Sequence, residues 1–244
     1  MNYESINERT KDLILNIETY FNNQNNKIIY DKRNIIKIVD FENRKYVIKS
    51  FKTPHLLNKV VYRFFRESKA KRSYQNSIKL QNLHIHTPNP IGYIEFKSKL
   101  LFTKSFYISE FYNFDFEIRD VLADERFENR DNILKEFIAF TYKLHQKKIY
   151  HIDYSAGNIL IKKINSKFIF SLVDVNRMKF IDLDIDLRAK SLAKLTTNKR
   201  DNEYMLEEYS KLSNIDIDTL RNKFDKYFNQ HQKYLKNKKR LKWQ

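Results

Sequence analysis

Hydrophobic periodicity changes character once along this chain, near residue 111, and that single change limits the folds open to it. Before it, strand-like runs occupy residues 27–30, 34–41 and 45–51, with the Asn43 region as the turn between the last two. Two further runs lie near residues 91–96 and 104–110. Leu13, Ile14, Ile17 and Phe21 stand at helical spacing and open the chain with a short amphipathic helix. A second helical period runs from Leu56 to Leu83 with a break near Ser68, and the prolines of Thr87-Pro88-Asn89-Pro90 end it. After residue 111 helices dominate. A short one is expected at 116–122 and a longer one at 128–146, with Ile133, Leu134, Phe137, Ile138, Thr141 and Leu144 on one face. A small hairpin at 159–164 and 168–173 interrupts them. Strands followed by helices predict an α+β chain in two lobes: a small antiparallel-sheet lobe over residues 1–110 and a mainly helical lobe over 111–244, with a cleft near residue 111.

The 19 Phe and 16 Tyr supply enough apolar area for a sizeable core, which excludes a disordered chain. Only Gly92 and Gly157 are glycine, so each marks a place where the backbone bends sharply or is closely approached. There is no cysteine; disulfides and thiolate metal sites are excluded, and a reducing cytoplasm is the expected home. The polar first residues lack the apolar core of a signal peptide. No apolar stretch approaches the ~18 residues that span a bilayer. A soluble or peripheral protein is expected.

The sharpest chemical signal is His151-Ile152-Asp153-Tyr154-Ser155-Ala156-Gly157-Asn158, placed after a long helix and before the apolar strand Ile159-Leu160-Ile161. An Asp followed five positions on by an Asn is the spacing of a phosphotransferase catalytic loop. Asp153 is the candidate catalytic base, accepting the proton of an acceptor hydroxyl. Asn158 is a candidate metal ligand, reaching back to an ion on nucleotide phosphates. Asp174, one hairpin further on in Leu172-Val173-Asp174-Val175-Asn176-Arg177, is the candidate main metal carboxylate. Upstream, Lys49 ends the β-forming run Tyr46-Val47-Ile48, the setting that presents a lysine to α- and β-phosphates. Glu67 is the only acidic residue between Phe51 and Leu83, and it shares a stripe with Ala70, Tyr74 and Ile78, which would turn it inward. It is the candidate partner of Lys49, against the plainer reading of a solvated charge. The expected phosphate-covering loop, Asp31-Lys32-Arg33-Asn34, lacks glycine, so Lys32 and Arg33 are expected to supply charge there instead.

These segments resemble the lipopolysaccharide kinases of the Kdo/WaaP type, which share a reduced protein-kinase fold. The similarity is carried by Phe64-Phe65-Arg66-Glu67-Ser68-Lys69-Ala70, Arg72-Ser73-Tyr74, Thr87-Pro88-Asn89-Pro90, Leu144-His145, the loop at 151–160 and above all Asp174-Val175-Asn176-Arg177. It spans about residues 27–210. The resemblance implies ATP and Mg²⁺, a lipopolysaccharide core glycolipid as acceptor, and phosphorylation of a Kdo or heptose hydroxyl. It also implies work at the cytoplasmic face of the inner membrane, with Lys49 on phosphates, Asp153 as base, and Asn158 and Asp174 on metal. Many members carry Glu where this chain has Ser73.

A net charge of +17 gathers in two places. Leu56, Leu57, Val60, Val61, Phe64 and Phe65 interleave with basic residues up to Arg72, which suits an interfacial helix. The tail holds Lys233, Lys236, Lys238, Lys239, Arg240, Lys242 and Trp243, a polybasic contact for an anionic membrane surface that is not expected to pack on the core. No nucleic-acid partner is expected. Two competing readings remain at this stage: a kinase of the same fold with a small-molecule or protein acceptor, and a catalytically inactive kinase-like binding module.

Overall fold

A computed structural model describes residues 1–32, 34–51, 67–97 and 102–240. The chain divides into two compact units, residues 1–113 with 174–176, and residues 114–173 with 177–244.

The first unit is built on a six-stranded antiparallel sheet. Its strands are β1 (Asn2–Ser5), β2 (Lys27–Asp31), β3 (Asn34–Phe41), β4 (Arg44–Phe51), β5 (Pro90–Lys97) and β6 (Phe102–Glu110), ordered β1-β5-β6-β4-β3-β2. Alternation along β4 decides what each face does. Tyr46 and Ile48 are fully buried on one face with Val39, Ile94, Phe106 and Ile108. That face is covered by α1 (Lys11–Leu15) and α2 (Ile17–Asn22) through Leu13, Ile14, Ile17 and Phe21. Each such fully buried Leu or Ile contributes roughly 1.5–3 kcal/mol. The single opening helix expected from the sequence is broken at Asn16, whose side chain donates to Asp12. Phe51, on the opposite face from Ile48, packs with Ala70 and Tyr74 of α3 (Lys69–Asn82) and Tyr93 of β5.

β1 was not legible as a strand, since residues 2–5 are polar or exposed. Pairing makes it one: Ser5 lies opposite Gly92 of β5. A Cβ on Gly92 would stand 2.3 Å from the Glu4 carbonyl oxygen, so only glycine admits this strand.

The second unit holds α4 (Ile118–Ala123), α5 (Arg130–Gln146), α6 (Ile185–Leu192), α7 (Lys199–Ser213) and α8 (Ile217–Arg240). The hairpin β9 (Ile159–Ile164) and β10 (Lys167–Leu172) forms a three-stranded sheet with β7 (Phe116–Glu117). β8 (Ile149–His151) pairs with β11 (Met178–Phe180). The expected apolar face of α5 is the buried one. Phe137 packs on Tyr154 and Phe170. Arg130 of α5 grips both carboxylate oxygens of buried Asp201 on α7 at 2.7 and 2.8 Å. His145 Nδ1 meets the Tyr209 hydroxyl at 2.7 Å, and burial pushes this histidine down to about 3.

Residues 56–66, which carry most of the expected interfacial helix, and Lys242 and Trp243 of the tail lie outside the described residues. The basic run from Lys233 to Arg240 is helical, as the end of α8, and Leu235 lines a cavity of this unit. The expectation that this run stays off the core is corrected, among the described residues, at Leu235 alone, which continues the edge of the helix that buries Leu220 and Phe224. Among the described residues no helix is long and apolar enough to cross a membrane.

Candidate active site

The loop after β8 is pinned from both sides. Tyr154 is fully buried, and its hydroxyl meets Thr141 of α5 at 2.8 Å. That anchor leaves its neighbour Asp153 at the surface, with its side chain 40% exposed. His151 is buried and bridges two backbone groups. The Asp153 N–H donates to Nδ1 at 3.2 Å, so Nδ1 is unprotonated, and Nε2–H donates to the Val173 carbonyl at 3.2 Å. A histidine in this tautomer ties the loop to the end of β10. Asn158 closes the loop, donating Nδ2–H to the Asp153 carbonyl at 3.0 Å. With the nitrogen end engaged, its amide oxygen is the end suited to a hard cation. The Val173 N–H donates to the Asn158 carbonyl at 3.0 Å, and Asp174 is the next residue.

Two cations serve this loop that sequence reasoning assigned no part in it. Arg177 donates Nη1–H to both Asp153 oxygens, at 3.0 and 3.1 Å. Lys194, from the turn after α6, donates to the Ile152 carbonyl at 2.6 Å. Arg177 could have been noticed from its place in the Asp174–Arg177 run. Nothing local marks Lys194.

In the first unit, Lys49 points to the α3 face of β4, its side chain only 12% exposed and its ammonium 5.2 Å from the Phe51 ring centre. Across the ladder stands Tyr107, whose hydroxyl meets Ser77 of α3 and is pushed up to about 12 by burial. Lys49 Nζ contacts Asp174 Oδ1 at 2.5 Å. Asp174 has φ of 55°, the left-handed region, which an aspartate tolerates when its side chain bonds locally. Here Asn176 donates Nδ2–H to the same Oδ1 at 2.6 Å. Asn76 of α3 donates to the Val175 carbonyl at 2.7 Å and holds this short segment on the first unit. Asn76 was missed; a polar residue between Ser73 and Ser77 on a buried stripe was the available sign.

Glu67 requires a correction. The helix starts at Lys69, at the break expected near Ser68, because the Ser68 side chain accepts the Lys71 N–H and caps it. Glu67 therefore precedes the helix, exposed, and pairs with Lys71 at 2.8 Å, which with its hydrogen bonds holds its carboxyl below the usual range. Ser73 faces inward and returns its hydroxyl to the Lys69 carbonyl. Lys32 is exposed in the β2–β3 turn, which the register sets at the end of the sheet where β4 stops at Phe51. Arg33 lies outside the described residues.

Among the described residues no three His, Asp or Glu side chains converge as a metal cage. Mg²⁺ on a nucleotide asks for less, one or two oxygen ligands besides the phosphates. The Asp174 carboxylate and the Asn158 amide oxygen are of that kind, so the donor set fits.

The sequence profile described as the lipopolysaccharide kinase (Kdo/WaaP) family matches residues 27–221, most of the chain. The chain belongs to the lipopolysaccharide kinase (Kdo/WaaP) family. The kinase is therefore a phosphotransferase acting on a sugar hydroxyl of lipopolysaccharide. No curated protein sequence matches it. Among solved structures, WaaP in complex with acyl carrier protein is similar over 97% of this chain and 99% of its own, with a TM-score of 0.65 and 15% identity. The Rio2 kinase–ADP/Mg²⁺–phosphoaspartate complex from Chaetomium thermophilum is similar over 90% of this chain and 76% of its own, with a TM-score of 0.50 and 14% identity. At such identities the likeness establishes the fold, which is the reduced two-lobe protein-kinase-like α+β fold expected from the sequence.

Proposed function

We propose that this kinase transfers the γ-phosphoryl group of ATP to a hydroxyl of a Kdo or heptose residue in the lipopolysaccharide inner core. Asp153 takes the hydroxyl proton as the acceptor oxygen bonds to phosphorus and the bond to the bridging oxygen of ADP breaks. Arg177 holds the Asp153 carboxylate in one orientation through its two contacts. Lys49 binds the α- and β-phosphates, with Lys32 and Arg33 adding charge from the β2–β3 turn. Asn158 and Asp174 hold Mg²⁺, which when bound neutralises charge on the transferring phosphates.

The observation that carries this reading is the 2.5 Å contact of Lys49 with Asp174, residues 125 apart in sequence. The phosphate-binding lysine and the metal carboxylate of a kinase have to share one phosphate chain, and here they are already in contact. The kinase would work at the cytoplasmic face of the inner membrane, a reading that the cationic end of α8, suited to anionic lipid, supports. Two measurements test the proposal. Mass spectrometry of core oligosaccharide from cells with and without the protein should differ by one phosphate on a Kdo or heptose. Asp153→Asn should keep ATP binding while removing most turnover, by 10²-fold or more on the order of a lost general base; near-normal transfer by that variant ends the assignment.

A further inference from the structure

The second unit contains a cavity of about 300 Å³ that the proposed chemistry does not use. One wall is the catalytic loop itself at Ala156, and another is the inner edge of α8 at His231 and Leu235. Its volume is at the lower end of small-molecule sites, room for about one sugar unit and not for a whole glycolipid. Among the described residues its lining includes Arg119, Lys194 and His231 and no acidic side chain.

Each of these three groups has donor capacity to spare. Arg119 is fixed through Nε to Glu117, which leaves its Nη groups. Its guanidinium lies flat against Gly157, where a Cβ would stand 2.6 Å from Nη2. One of the two glycines in the chain thus lets an arginine rest on the catalytic loop. Lys194 spends one donor of three on the Ile152 carbonyl. Burial lowers its pKa, with Lys190 and Arg177 acting the same way and Asp153 opposing. His231 is held down by burial and by Lys194 and Lys238, so it is neutral at pH 7 and carries an N–H for an incoming group. The Thr196 and Thr197 side chains supply hydroxyls, and Leu235 an apolar surface for the C–H face of a ring.

We propose that this cavity seats the oxyanion of an acidic sugar of the acceptor, a ring carboxylate or a phosphate already on the core, between Arg119, Lys194 and His231, and so presents a hydroxyl of that sugar or its neighbour to Asp153. The proposal rests on the reading of the kinase as a core-sugar kinase, and it names what selects the sugar. A cationic cavity against the loop that bears the base converts acceptor charge into acceptor position.

The test is binding in the absence of ATP. The full chain is titrated with lipopolysaccharide core oligosaccharide freed of acyl chains, with its carboxyl methyl ester and with its dephosphorylated form. The ring signals of His231 are followed by NMR and assigned by their loss in His231→Gln. The intact oligosaccharide should shift these signals saturably. The ester should bind poorly if the seated group is the carboxylate, and the dephosphorylated form if it is a phosphate. Arg119→Ala should weaken binding roughly tenfold or more, as loss of a charge-assisted hydrogen bond requires. It should raise the acceptor KM in turnover and leave the ATP KM unchanged. Absence of a saturable shift, equal binding of all three oligosaccharides, or wild-type binding by Arg119→Ala overturns the proposal. Failure of the kinase assignment shows separately, as absence of phosphate transfer to an oligosaccharide that binds.

Discussion

Replacing Lys49 with Met separates the nucleotide-binding role proposed for the lysine from the metal-binding role proposed for Asp174. In the structure Lys49 neutralises Asp174 directly, at 2.5 Å, with its own side chain 12% exposed and that of Asp174 35% exposed. In the proposed reading, Lys49 would trade this carboxylate for phosphate oxygens once nucleotide is bound, leaving Asp174 to hold the ion. A hydrogen bond to a charged group is worth about 1.5–3 kcal/mol, or about a 10–150-fold change in affinity. Lys49→Met should therefore weaken ATP binding by that factor both with and without Mg²⁺, because the lysine contacts phosphate in either case. Asp174→Asn should behave differently. It should bind metal-free ATP nearly as the wild type does and lose the increment that Mg²⁺ adds, since an amide is a poor substitute for the carboxylate. Displacement of a fluorescent ATP analogue, measured with Mg²⁺ and with chelator for both variants, reads all four values. Lys49→Met binding within twofold of the wild type, or Asp174→Asn keeping the full Mg²⁺ increment, would refute the assignment of these two residues.

Three further outcomes are expected. His145 is pushed down to about 3 when folded, against about 6.5 in the unfolded chain. The unfolded state thus binds the extra proton, and this group's stability is complete above pH 6.5 and falls with acid, by about 2 kcal/mol between pH 8 and pH 5. Urea titrations of wild type and His145→Gln should show a shallower pH dependence in the variant; identical slopes would contradict it. Asp201→Ala leaves the largely covered Arg130 without its carboxylate partner and should cost about 3 kcal/mol. Arg130→Met in the same chain should recover part of that loss, and a fully additive double variant would argue against direct pairing. Changing Lys233, Lys236 and Lys238 together to Gln should weaken binding to anionic vesicles by roughly 1 kcal/mol per cation at low salt, with a smaller loss at high salt; unchanged vesicle binding would remove α8 from the membrane contact.

Local chemistry by itself determines much of this protein. The strands at 34–41 and 45–51 and the helix at 130–146 were legible because the period of apolar residues is a property of a few neighbours. The candidate catalytic loop stands out in the sequence for the same reason: Asp153, Asn158 and the buried anchor Tyr154 fall within six consecutive residues, and spacing alone relates them. Glu67 was misplaced because the apolar stripe was carried across the break at Ser68, whose cap leaves Glu67 ahead of the helix and paired with Lys71. The rest required contacts between distant segments. β1 exists because Gly92 admits it. Lys49 meets Asp174 and not Glu67 because β4 and residues 174–176 fold into one unit, held by Asn76. Arg177 on Asp153, Lys194 under the same loop, and the cavity lined by α8 share that origin. Periodicity and spacing record which element a residue belongs to, whereas the partner of a charged side chain is chosen by electrostatics and desolvation across the folded chain, and only the tertiary structure brings those groups within reach.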